Sequence, residues 1–208
     1  IHRVLAAVCA ASLLILPGCG APGSPGGSEE CASSKTERQG EPSHPVAVLM
    51  EEGSGCLQGL APADTLNGAY RAGYEQFTIR VMQSLYRQDA RKGEGVFFSP
   101  ASVYMALGMA AEGMKGETLE QTLTLLGAAD TETLRKGNRD LQSLLIGNPC
   151  AYFKLSNSIW IDSAFSSHVQ PTFLETNRAY YGARAVLRSF DETLLPDVNR
   201  WVSDNTDG

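Results

Sequence analysis

Histidine is nearly absent from this chain: its 208 residues hold three, at His2, His44 and His168. They fall in an apolar leader, a Gly/Pro/Ser-rich stretch and a loop, so a Ser/His/Asp or Cys/His arrangement would have to rest on His168 alone. Cys150 and His168 stand at opposite ends of one strand, roughly 35–40 Å apart at ~3.3 Å per residue. No C-x-x-C pair or Cys/His spacing suggests zinc, and no Walker-type or dinucleotide loop is present. The expectation is a protein that is not an enzyme, with no catalytic residue, no metal and no cofactor. Basic residues are also short, 17 against 23 acidic for a net charge of −6, which gives no clustered basic surface for nucleic acid.

The globular part is shorter than the chain, because glycine and proline crowd into the first sixty residues. Residues 1–19 open with His2 and Arg3, continue as an apolar run from Val4 to Leu16 and end in Pro17-Gly18-Cys19. A short basic region, an apolar run and small residues before a cleavage point read as an export signal rather than a spanning helix. Leu16-Pro17-Gly18-Cys19 resembles a bacterial lipobox, which would make Cys19 the lipid-attachment site and tether the exported protein to a membrane, where more than one acyl chain gives stable anchoring. The other reading is a cleaved signal with an incidental Cys19 and a secreted product. Residues 20–64 are rich in Gly, Pro, Ser and Glu and read as a disordered stalk; the island Val46–Met50 reads as a short strand or as no element, and the second reading, or a loose contact with the domain, is preferred. Cys31 and Cys56 lie in that stalk and can close a loop on one another, leaving Cys150 unpaired.

The domain proper spans residues 65–208. Tyr70, Tyr74, Phe77, Val81 and Leu85 recur at helical spacing to about Arg87. Val96–Phe98 reads as a brief strand, and Ser99 follows as an N-cap with Pro100 in the first helical position. The helix Ala101–Ala111 carries Val103, Met105, Ala106, Leu107, Met109 and Ala110 on all its faces. It is too short for a bilayer and therefore belongs in a core. Gly113 and Gly116 break it, Thr118 with Gln121 suggests a capping box for the next helix, and Gly127 closes that helix.

The run VFFSPASVYMALGMAAEGMKGETLEQ resembles the start of the serpin domain: a strand entering FFSP, an apolar helix, then a G-x-K-G-x-T turn. The resemblance implies an α+β fold with helices packed around part of a large central sheet. It covers residues 65–208, less than half of such a domain, and a reactive loop and its scissile bond fall outside it.

A helix over Glu132–Leu145 follows, with Arg135, Lys136 and Arg139 close together. In some relatives the equivalent helix binds polyanions, but three bases among Glu132 and Asp140 read as a solvated face. Ala151–Asp162 is a strand with Phe153, Leu155, Asn157, Ile159 and Ile161 on its inward row. A buried amide there needs hydrogen bonds, and Ser99 and Ser102 are the expected partners. The resemblance places Ser99, Ser102 and Asn157 in the shutter beneath the sheet that must part. The strand is expected to keep one edge unpaired, since its neighbour is not encoded. A helix over Gln170–Tyr181 and a strand over Ala183–Phe190 make a parallel crossover pair with it. The last helix, within Glu192–Asp207, carries Leu195, Val198, Trp201 and Val202 on its apolar face. Its D-V-N-R-W-V run, with Asn199 and Trp201, resembles the serpin helix that crosses the main sheet.

The family resemblance implies an inhibitor of serine (or cysteine) proteases that acts by cleavage and insertion of the reactive loop, with the target protease as its partner. The alternative is a non-inhibitory serpin-fold protein with a binding or structural role. The hinge that would separate the two lies outside the chain.

Overall fold

The computed structural model describes residues 7–15, 47–50, 65–89, 98–147 and 152–205. Cys19, Cys31, Cys56, Cys150, Val96 and Phe97 lie outside them, and Phe98 carries no strand. The elements in order are β1 (Ala7–Ile15), β2 (Ala47–Met50), α1 (Gly68–Asp89), α2 (Pro100–Ala111), α3 (Gly116–Leu126), α4 (Thr131–Ile146), β3 (Tyr152–Asp162), α5 (Pro171–Tyr181), β4 (Arg184–Arg188) and α6 (Leu194–Asn205). A 3₁₀ segment, Ser163–His168, joins β3 to α5.

Local chemistry sets most of the helix ends. The Asn67 side chain accepts from the N–H groups of Ala69 and Tyr70, Ser99 caps α2 ahead of Pro100, and Asp130 accepts from Thr133 N–H at 2.6 Å to open α4. Gly127 and Gly182 close α3 and α5 in the left-handed conformation, at φ 64° and 62°. The capping box at Thr118 does not form. The N-cap of α3 is Lys115, three residues earlier, with no side-chain cap, and Gln121 reaches one turn back to Glu117 instead.

Helices α1 to α4 enclose one core of Tyr70, Phe77, Tyr104, Met105, Ala111, Leu126, Leu134 and Leu141. Tyr104 sits at its centre, met edge-on by Tyr70, Tyr74 and Phe77 with centroids 5.2–5.7 Å away. Its hydroxyl donates to the Leu126 carbonyl at 2.9 Å, an acceptor that the end of α3 leaves open. α1 crosses the end of α3 at Gly73, where an added Cβ would stand 2.5 Å from the Gly127 carbonyl oxygen. Only glycine permits that approach. α2 is not sheltered all round: Val103 is 37% exposed, and Tyr104 rather than Val103 points into the core.

The sheet runs β1-β3-β4-β2. β3 and β4 are parallel, with Ser158 opposite Arg184 and Asp162 opposite Arg188, as the strand–helix–strand pattern implies. Three expectations change here. The second edge of β3 is occupied: β1 lies antiparallel along it, Ala7 opposite Trp160 through Ile15 opposite Tyr152. The apolar segment that reads as the core of an export signal is thus a strand in this structure. The Val46–Met50 island, given no element, supplies β2 antiparallel to β4.

The third change is that β3 is buried on both faces. Ile159 and Ile161 pack with Ala183, Ala185 and Tyr181 under α5, while Trp160 and Val186 pack on Trp201 of α6. A strand covered on both sides is expected where a parallel pair is flanked by helices. In α6, Leu195 is 65% exposed and Leu194 takes its place against the sheet.

Candidate functional site

The inward row of β3 places Asn157 against the end of α5. Its side chain is buried, and Nδ2 donates to the Tyr181 carbonyl at 2.7 Å and to Gln142 Oε1 at 3.3 Å. Gln142 Nε2 in turn donates to the Tyr180 carbonyl at 2.9 Å and the Asn138 carbonyl at 3.2 Å. The two amides therefore satisfy carbonyls that the last turn of α5 leaves without helical partners. Asn138 extends the seam, accepting from the Tyr70 hydroxyl at 2.9 Å and donating to the Tyr181 hydroxyl at 3.5 Å. Burial pushes the Tyr70 and Tyr181 hydroxyls well above the ordinary tyrosine range, so both stay protonated.

This corrects the expected triad. Asn157 is buried as its strand position requires, but Ser99 and Ser102 are not its partners. The Ser102 hydroxyl donates to Ser99 Oγ at 2.8 Å, and Ser99 Oγ also accepts the Ser102 N–H at 3.4 Å. The two hydroxyls meet one another at the start of α2, and Gln142 is the side chain bonded to the amide. Asn138 and Gln142 were missed, although a signal existed: Leu134, Asn138, Leu141, Gln142 and Leu145 fall on one helical stripe, so two amides interrupt an apolar face.

The opposite face of the sheet is held by α6. Trp201 is 6% exposed against Trp160 and Val186, whereas Asn199 faces solvent. Arg188 of β4 pairs with Asp197 of α6 and donates to Thr193 Oγ1 at 3.3 Å, fixing one end of the helix. At the other end the Ser156 hydroxyl approaches Asn205 Oδ1 at 3.5 Å, and Asn205 Nδ2 caps the Trp201 carbonyl at 2.8 Å.

The three bases of α4 each meet a carboxylate: Arg135 with Glu112 at 3.0 Å, Lys136 with Glu132 at 2.6 Å and Arg139 with Asp140 at 3.7 Å. Arg135 and Arg139 also stack over the Tyr180 ring, at 5.6 and 5.5 Å. His168 is exposed, its ring stacked on Phe165 at 4.9 Å.

A family model described as Serpin (serine protease inhibitor) matches residues 72–208. The chain belongs to the serpin family. Neuroserpin of Rattus norvegicus is 28% identical over 121 residues, 54% of this chain and 28% of that protein. Serpin-Z2A of Oryza sativa is 28% identical over 143 residues, 64% of this chain and 33% of that protein. An uncharacterized serpin-like protein of Thermococcus kodakarensis is also 28% identical, over 148 residues. The chain thus spans about a third of the length of the curated serpins it matches. The native-state crystal structure of the thermophilic serpin tengpin aligns with a TM-score of 0.57 at 22% identity, covering 78% of this chain and 40% of tengpin, which shows the fold alone. β1 and β2 precede the serpin match.

Proposed function

We propose that the protein at its full length is a serpin-type inhibitor of serine or cysteine proteases that acts by cleavage of a reactive loop and insertion of that loop as a strand into the main sheet. The observation that carries this reading is the family match across residues 72–208. The geometry is consistent with it: α2 and α5 back one face of β3 and β4 and α6 backs the other, so the two strands lie inside a sheet covered on both sides. Ser99, Ser102 and Asn157 serve the moving sheet separately in this account, the serines by fixing the start of α2 and the amide by fixing β3 to α5.

Incubating the full-length protein with a panel of serine and cysteine proteases tests the reading. A protease complex that survives denaturant is expected; cleavage of the loop with the protease left active on every substrate would identify a non-inhibitory serpin instead. Export and anchoring through Cys19 belong to the same proposal, since His2 and Arg3 lead an apolar run into that residue. Processing before Cys19 would remove β1 and free its edge of β3. Labelled palmitate should enter the wild type and not Cys19→Ala; equal labelling of both would exclude the anchor.

A further inference from the structure

Glu112, at the end of α2, has no part in the sheet, yet its side chain is only 4% exposed. It is the C-cap of α2, where the helix carbonyls already concentrate negative charge and disfavour a carboxylate. Oε2 is paired with Arg135 at 3.0 Å, but Oε1 is buried without a hydrogen-bond partner. Arg135 is held independently of it, donating to the Thr131 carbonyl at 3.3 Å and to Thr131 Oγ1 at 3.4 Å and lying over the Tyr180 ring. The guanidinium would therefore stay in place whether or not the carboxyl group carries a charge.

We propose that Glu112 is an internal proton-binding site: its carboxyl group takes up a proton in the folded protein, and the junction of α2 with α4 and α5 holds more firmly when it does. The groups facing it are Arg135 from α4 and the Tyr181 hydroxyl from α5, with Arg139 one turn further along α4. Burial raises the Glu112 carboxyl above the ordinary glutamate range, and the opposing pulls of Arg135 and Tyr181 do not cancel it. A neutral carboxyl group no longer places a charge in a buried position at the C-terminal end of α2.

The sign follows from linkage. A carboxyl group raised in the folded state binds more protons there than in the unfolded chain, so stability grows as pH falls through the raised value and the gain is complete below the ordinary one. Asp130 and Glu132 act the other way. Thr133 N–H and Lys136 respectively hold them below their usual range, and the stability they contribute is lost as pH falls through those lowered values. The gain from Glu112 therefore lies at higher pH than their loss.

Thermal unfolding of the full chain and of Glu112→Gln from pH 8 to pH 4.5 tests this. The variant is expected to melt higher at pH 8, with the margin closing as the pH falls. A margin that stays constant, or a variant that melts lower throughout, would overturn the proposal. Should Glu112→Gln fail to fold, carbon-13 NMR of the wild-type carboxyl groups decides directly. A Glu112 resonance titrating above the other glutamates supports the site, one titrating among them removes it, and Arg135→Gln should move the midpoint higher still.

Discussion

Replacing Tyr104 with alanine is expected to destabilise the protein by about 3–5 kcal/mol, the usual range for deleting a fully buried aromatic ring. That is a large share of the roughly 5–15 kcal/mol that holds an ordinary domain together. The site cannot collapse easily, because Tyr70, Tyr74 and Phe77 meet the ring edge-on from one helix and are themselves anchored along α1. Tyr104→Phe separates the packing from the polar contact. It keeps the ring but leaves the Leu126 carbonyl without its donor, for a loss of about 1–2 kcal/mol. Burial pushes the Tyr104 hydroxyl up to about 12, so the bond persists throughout the neutral range. Urea unfolding followed by circular dichroism would measure both variants; equal losses would mean that the hydroxyl rather than the ring is what matters.

The second large effect is expected at Asp197. Arg188 and Asp197 are 6% and 13% exposed, and α6 depends on their pairing for its hold on β4. Asp197→Asn would leave a buried guanidinium without its counter-charge, at a cost of about 3–5 kcal/mol. Replacing both together, Arg188→Met with Asp197→Leu, should restore most of that, because it also removes the desolvated charge. The two tryptophans of the chain, Trp160 and Trp201, both lie at this interface, so their fluorescence reports on it directly. A red shift in Asp197→Asn under native conditions is the expected sign that α6 has lifted; an unshifted spectrum with unchanged stability would show the pair to be solvated.

What could be read before the structure, and what could not, divides along a physical line. Ser99-Pro100, Gly127, Gly182 and the spacing of Tyr70, Tyr74 and Phe77 act within a few residues of themselves, and the elements they define appear with ends shifted by only a residue or two. The parallel pairing of β3 and β4 was also legible, since a strand–helix–strand order leaves few ways to return to one sheet. Partners distant in sequence were not. Periodicity identifies Asn157 as a buried amide, but its partners come from α4 and α5 and sequence does not rank Gln142 above Ser99. Arg188 and Asp197 each look like ordinary surface charges until β4 and α6 are laid together. The burial of both faces of β3 depends on α6, where helical spacing points to Leu195 and the sheet takes Leu194.

Asn157 ties β3 to the end of α5 through Gln142 and the Tyr181 carbonyl. Double-mutant cycles on unfolding free energy, pairing Asn157→Ala first with Gln142→Ala and then with Ser102→Ala, measure this most directly. The expected result is a coupling of about 0.5–3 kcal/mol between Asn157 and Gln142 and additivity within about 0.5 kcal/mol between Asn157 and Ser102. Coupling to Ser102 with none to Gln142 would contradict the seam and return the amide to the start of α2.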